Sequence, residues 1–245
     1  MGTGQAFLEN TKYENMGDSD QEKGKKQPPL EKPFSEEGAI ALQKPSETGK
    51  CDTELISLIN GRKSVRRYDD EGITLDELSY FLWCTQGIKS QMKNKATYRT
   101  VPSAGARHAF ETYLLINNVD GVDAGVYRYI ASKHILVPHD LSEDAAPRLL
   151  FACLDQGMIT TSAVSFFWAA DIKRMAYRYG ERGYRYIHLD AGHVCQNLYL
   201  AAENRGCGVC AIAAFEDDEV NAVLGLDGEN DFVVYIASLG RKKGQ

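Results

Sequence analysis

Apolar residues along this chain recur at two periods, and the alternation between those periods predicts a mixed fold. In "ITLDELSYFLWCTQG" (73–87), Leu75, Leu78, Phe81 and Leu82 share one helical face. Thr74 and Glu77 have the spacing of a capping box, in which each side chain satisfies a backbone N–H of the first turn, and Gly87 is a suitable stop. Upstream, Asp52 can cap a helix carrying Leu55, Ile56, Leu58 and Ile59. Residues 147–158 read as helical, 184–206 as a long helix and "DDEVNAVLGL" as a short one; small residues at 191, 192, 201 and 202 would let another helix approach closely. Strand-length runs occupy "FETYLLIN" (110–117), "VYRYI" after the turn "NVDGVDAG", "AVSFFWAAD" (163–171), "VCAIAAF" (209–215) and "DFVVYIASLG" (231–240). A hairpin interleaved with helices predicts α+β architecture rather than a doubly wound parallel sheet.

Residues 1–50 break this pattern. They hold four of the seven prolines, seven Lys, nine Asp or Glu and only three aromatics, so they cannot bury much apolar surface. The expected organisation is an extended or partly disordered arm over 1–50, either a loose tail or a strap crossing a partner subunit, and one globular domain over 51–245. At that length the domain can bury a core without disulfides or metals.

Composition narrows the function. Lys and Arg number 28 against 34 Asp and Glu, a net charge of −6, which argues against a general nucleic-acid binder. The start carries no basic region followed by an apolar one, and no apolar run approaches a membrane span, so no membrane association and a cytoplasmic location are expected. Six scattered cysteines read as reduced thiols.

Against this acidic background, "GRKSVRRYDD" (61–70) concentrates Arg62, Lys63, Arg66 and Arg67. In an extended segment Arg62, Ser64 and Arg66 would point to one side and offer two guanidiniums and a hydroxyl to one anion. The same stretch also suits a solvated basic loop. Arg241, after the last strand, is a second clamp or a tail charge. "VPSAGARHAF" (101–110) is a loop of small residues whose backbone N–H groups are accessible to a flat or anionic ligand, or simply a tight turn before a strand. Ser103 lacks the Gly-x-Ser-x-Gly context of a hydrolase nucleophile. "CGVC" (207–210) has no second pair to complete a zinc site and reads as buried structural thiols. His188 and His193 lie about 140° apart round a helix and cannot share a metal face. No metal site is expected, and no Gly-x-Gly-x-x-Gly or P-loop motif is present.

Taken in order, "LINGRKSVRRYDDEGITLDELSYFLWCTQGI", "RTVPSAGARHAFETYLLINNVDGVDAGVYRYI", "YGERGYRYIHLDAGHVCQNLYLAA" and "VVYIASLGR" resemble the nitroreductase superfamily, closest to its SagB-type, ThcOx-like dehydrogenase branch. The resemblance covers about residues 30–241. It implies an α+β FMN flavoprotein: an intertwined homodimer with a mainly antiparallel sheet flanked by helices and active sites at the subunit interface. It further implies that Arg62, Lys63, Ser64 and Arg66 bind the FMN phosphate and ribityl end, with Arg241 closing on the phosphate. Pro102, Ser103, Ala104 and Gly105 would line the flavin from the partner subunit. Ala211, Ile212, Ala213 and Ala214 would run along the flavin edge near N5 through main-chain atoms, where relatives usually have Gly.

The implied activity is two-electron hydride transfer on a small-molecule or peptide substrate, with NAD(P)H as a candidate electron donor. The alternatives are azoline-to-azole oxidation of a modified peptide and a non-catalytic flavin-binding or scaffold protein. Azole-forming members carry a Lys-Tyr pair before Gly-x-Arg-x-Tyr-Arg; here Arg178 and Tyr179 stand there. Tyr179 retains a phenol for proton relay, or both residues are simply surface positions before the long helix. An arginine cannot give up its proton as a desolvated lysine can, so weak azoline oxidation is expected.

Overall fold

A seven-stranded sheet, buried on both faces, organises the chain, and period-2 alternation assigns its side chains to two separate cores. In the computed structural model, residues 2–44, 54–93 and 96–244 are described. The strands are β1 (Ile40–Ala41), β4 (Phe110–Ile116), β5 (Gly125–Ile130), β6 (Ile135–Asp140), β7 (Val164–Asp171), β8 (Cys207–Ile212) and β9 (Asp231–Arg241). Their spatial order is β1-β6-β5-β4-β7-β9-β8, with antiparallel pairing throughout. A separate antiparallel hairpin joins β2 (Ile88–Met92) to β3 (Ala96–Arg99).

On central strand β7, Val164, Phe166, Trp168 and Ala170 face one core while Phe167 and Ala169 face the other. The first core is covered by α3 (Leu75–Gln86) and α7 (Gly183–Asn204), with α6 (Ile172–Tyr179) packed on α7. The second lies under α4 (Ala145–Ala152), α5 (Met158–Thr161) and α8 (Asp217–Val223). A register shift between Trp168 and Ala169 inserts an extra residue into β9, which lets Val233 and Ile236, an odd spacing apart, enter the same core. The α+β expectation and the mainly antiparallel sheet both hold.

Several expectations need correction. The helix expected at 147–158 is two helices, because Leu154 and Asp155 turn left-handed with φ of 58° and 54°. The strand expected at 209–215 ends at Ile212. Helix α6, in "DIKRMAYRY", was hidden by its charges and aromatics; Asp171 caps it by accepting from Lys173 N–H at 3.1 Å. The small residues Ala191, Ala201 and Ala202 are buried within this chain's own core, whereas Gly192 is exposed. The capping box of α3 forms as expected. The Asp52 cap and the boundary at residue 50 lie outside the described residues; α2 (Leu55–Gly61) follows Glu54.

Residues 2–44 are not simply extended. Thr3–Asn10 form α1, which buries no residue of its own. It is held instead by basic side chains near the start of α7. The Arg182 guanidinium donates to the Thr11 carbonyl, and Arg185 lies 5.7 Å from the centre of the Phe7 ring. Further on, the Lys32 N–H donates to Glu111 at 2.9 Å and Arg128 donates to the Pro33 carbonyl at 2.7 Å. β1 then joins the sheet edge beside β6. Polar anchoring replaces the apolar burial that this composition cannot supply.

Candidate functional site

The basic segment is held in place by the end of the sheet. The Val65 N–H donates to the Val209 carbonyl at 2.9 Å, and Asp69 N–H donates to the Arg241 carbonyl at 3.0 Å, so residues 64–69 lie along β8 and the end of β9. Gly208 makes this approach possible: a Cβ there would sit 2.5 Å from a Val65 methyl. The buried Tyr68 hydroxyl locks the segment through Val65 O and Ser238 Oγ, both at 2.8 Å.

Lys63, Ser64, Arg66 and Arg67 then line a cleft of about 650 Å³ with Lys242, Lys243 and Gly244. Lys63, Arg66 and Arg67 have no ion-pair partner among the described residues, while Lys242 pairs with Glu203 at 2.5 Å. The cleft is therefore a concentration of uncompensated positive charge on an acidic protein.

Two expected members are placed differently. Arg62 does not line this cleft; its guanidinium lies 5.2 Å from the centre of the Tyr199 ring. Arg241 is held in a two-pronged pair with Glu77, at 2.8 and 2.7 Å, so its fork already has a carboxylate. Lys242 and Lys243 stand at the cleft instead.

Tyr199, which the sequence reading missed, joins the separate pieces. Its hydroxyl shares a hydrogen bond with Ser64 Oγ at 3.1 Å and accepts from the Ala211 N–H at 2.9 Å. Its only sequence signal is an aromatic with a polar tip on a long helix, which most often means core. In a strand, residues i and i+2 direct their backbone groups to the same edge. Val209 O and Ala211 N both face away from β9, and Ala211 thus lies on the sheet's outer edge. Ile212 is buried in the second core, whereas Ala213 and Ala214 are exposed. The Ala214 carbonyl accepts from Gln156 at 2.7 Å.

The small-residue loop forms a second group. Asp190 on α7 accepts from the Ala104 N–H at 3.2 Å and from the Ser103 hydroxyl; burial raises its pKa and these two hydrogen bonds oppose the rise. The His108 N–H donates to Ser103 Oγ at 2.9 Å. Burial, followed by the charge of Arg99, brings the His108 pKa down to about 3, so its imidazole is neutral near neutral pH. Gly105 is left-handed, with φ +56°, and a Cβ there would meet the Tyr179 hydroxyl at 2.6 Å and Arg178 Cδ at 3.0 Å.

Arg178, Tyr179 and the loop are therefore one constellation. Pro102 is exposed at its edge. No described hydrogen bond, ion pair or ring contact joins this constellation to the basic segment. Asp190 and Tyr199 lie about 14 Å apart along α7 at 1.5 Å per residue.

Cys207 and Cys210 are free and buried, and burial pushes the Cys207 thiol up to about 11, as suits structural thiols. Among the described residues no group of three or more His, Cys, Asp or Glu could hold a metal, and no helix is long and apolar enough to cross a membrane.

With this geometry in view, the sequence profile of the Nitroreductase family matches residues 59–241, from the basic segment to the end of β9. The chain belongs to the nitroreductase family. It is 35% identical over 191 residues to a "putative nitroreductase" of Methanocaldococcus jannaschii, covering 78% of this chain and 92% of that one. It is also 29% identical over 154 residues to the trifolitoxin-processing protein TfxB of Rhizobium leguminosarum bv. trifolii, covering 61% of this chain and 41% of that protein. The crystal structure of a "putative nitroreductase" from Anabaena variabilis superposes with a TM-score of 0.64 at 29% identity, over 84% of this chain and 42% of that one. The chain thus spans less than half of the TfxB protein and of the Anabaena chain. The Escherichia coli microcin synthetase McbBCD complex with truncated pro-MccB17 bound shares the fold, with a TM-score of 0.60 at 19% identity and coverage of 83% and 78%. The family makes this chain an oxidoreductase.

Proposed function

We infer that this chain is an FMN-dependent oxidoreductase that performs two-electron hydride transfer as a homodimer. The observation that carries the reading is Tyr199, which ties the basic segment at Ser64 to the outer edge of β8 at Ala211. An FMN needs both features, a cationic end for its phosphate and main-chain groups along its ring. The unpaired Lys63, Arg66 and Arg67 with the Ser64 hydroxyl fit a phosphate. The Ala211–Ala214 edge fits the ring. Bound FMN supplies hydride acceptance and donation at N5.

The chain's own residues bind, orient and shield. Ser103 and Ala104, held by Asp190, present a rigid small-residue surface, and Tyr179 places a phenol beside it. Two observations support a dimer. Leu55, Ile56 and Ile59 on α2 are 62%, 58% and 48% exposed, beside a groove of about 410 Å³ lined by Leu58, Tyr80, Trp83 and Leu200. The loop constellation and the basic segment are also far enough apart along α7 to serve two different sites. A stable flavin-loaded monomer in sedimentation would contradict the dimer.

The cofactor is tested by colour. The purified protein is expected to be yellow and to release FMN, and Arg66→Ala with Arg67→Ala to lose it. Wild type that stays colourless and takes up no added FMN would favour a non-catalytic scaffold. Rapid-mixing bleaching by NADH or NADPH tests the donor.

A second reading, azoline dehydrogenation of a modified peptide in a SagB-type system, is supported by the likeness to the trifolitoxin-processing protein. On this reading Arg178 is a poor base, so azole formation by wild type is expected to be weak and to rise in Arg178→Lys at equal flavin occupancy. Robust azole formation by wild type would show that Arg178 is no impediment.

A further inference from the structure

A second cleft, of about 610 Å³, lies between the N-terminal segment and the corner where α6 meets α7. One wall is Met16, Gly17, Asp18, Ser19, Gln21 and Glu22; the other is Arg178, Tyr179 and Arg182. The segment is tied across this corner: Gln21 N–H donates to the Tyr177 carbonyl at 2.8 Å, and Arg182 holds the Thr11 carbonyl.

The two walls differ in what they have left to offer. Glu22 is turned back on its own segment, its Oε2 accepting from Ser19 N–H and Ser19 Oγ at 2.8 Å each. Arg182 is engaged with Thr11 and with the Tyr186 hydroxyl. The Arg178 guanidinium, exposed to the cleft, has no hydrogen bond or carboxylate partner among the described residues; it lies 5.6 Å from the centre of the Tyr179 ring. Its charge is also felt by Arg107, whose pKa is lowered by burial first and by Arg178 next. Asp18 and Glu22 balance the two arginines in number across the cleft, but neither pairs with Arg178, which leaves a planar fork without a carboxylate beside a phenol. That pairing matches a carboxylate, which a guanidinium can grip with two parallel bonds. Both side chains meet Gly105 of the loop.

We propose that this cleft is the substrate site and that it selects substrates bearing a carboxylate, with Arg178 as the specificity-determining residue and residues 16–22 as the outer wall. The flavin reading enters only in placing the reaction beside the Gly105 loop; recognition of the carboxylate stands on the cleft alone.

The test compares 4-nitrobenzoate with its neutral isostere 4-nitrobenzamide as electron acceptors for the FMN-loaded protein, alongside equilibrium titration of the inert pair benzoate and benzamide. A charge-assisted hydrogen-bonded pair at a half-open site corresponds to about tenfold in affinity or more. Wild type is expected to prefer the acid by that factor in both kcat/KM and Kd. Arg178→Gln is expected to bring both ratios to about one, and Arg178→Lys to recover part of the preference.

Gly17 lines the cleft, and a Cβ there meets nothing within 4 Å, so Gly17→Trp adds bulk and is expected to weaken all four ligands. Equal binding of acid and amide by wild type, or a preference that survives Arg178→Gln, overturns the proposal. Unchanged binding in Gly17→Trp removes the N-terminal wall from it. If the protein takes up no flavin, the oxidoreductase reading fails while the benzoate titration still decides this one.

Discussion

Replacing Tyr199 with phenylalanine removes one oxygen and leaves the ring, which isolates what the hydroxyl does. That oxygen makes two hydrogen bonds, to Ser64 Oγ at 3.1 Å and from Ala211 N–H at 2.9 Å. A typical intramolecular hydrogen bond contributes about 0.5–1.5 kcal/mol net, so the pair amounts to about 1–3 kcal/mol. Both partners sit at the edge of the protein, where water can replace the lost oxygen, which places the stability loss in the lower half of that range. The effect on FMN is separate: a Ser64 hydroxyl no longer held in place costs about 0.5–1.5 kcal/mol, or roughly two- to tenfold in Kd. Arg62 keeps its ring contact in Tyr199→Phe but loses it in Tyr199→Leu, which adds about 0.5–1 kcal/mol. Urea unfolding of the flavin-free protein reads the first quantity, and quenching of FMN fluorescence on titration reads the second. If Tyr199→Phe binds FMN as tightly as wild type, Tyr199 does not organise the cofactor site. If Tyr199→Phe and Tyr199→Leu are indistinguishable, the contact with Arg62 contributes nothing.

Two further predictions concern the scaffold. Glu111 and Arg174 form a 2.5 Å pair in which each side chain is only 3% exposed, and Glu111 also accepts from the Lys32 backbone. Removing the carboxylate in Glu111→Leu leaves a buried guanidinium poorly compensated and is expected to cost about 3–5 kcal/mol by urea denaturation, with a loss below about 1 kcal/mol contradicting the assignment. His108 has a folded pKa lowered from 6.5 to about 3 by burial and by Arg99, so the unfolded chain takes up its proton first as pH falls. Its contribution to stability is fully present above about pH 6.5 and is lost progressively as pH falls towards 3, with a slope of at most about 1.4 kcal/mol per pH unit. His108 has φ +44°, which asparagine tolerates, and His108→Asn is therefore expected to flatten the pH dependence of unfolding between pH 6 and 5. An unchanged slope would show that another group titrates there.

The architecture was legible where a segment's own pattern decides its structure. β7 reads as a buried strand because both of its faces are apolar, and α3 announces itself through the Thr74–Glu77 capping box and its single apolar stripe. The ordered motifs along the chain likewise sufficed for the family. Local pattern failed where long-range contacts hold a segment. α1 buries nothing and survives through Arg182 and Arg185, more than 170 residues away in sequence. α6 hides Arg174 in a pocket of opposite charge that no hydropathy pattern reveals. The same limit applies to the candidate site. The sequence shows that Arg62, Lys63, Arg66 and Arg67 cluster, because neighbours in the chain are neighbours in space. It does not show that Arg241 is already taken by Glu77, that Tyr199 links Ser64 to Ala211, or that Arg178 faces residues 16–22 across a cleft. Each of those is a pairing between distant segments, and its geometry comes from the packing of α7 against the sheet rather than from any local preference of the residues involved.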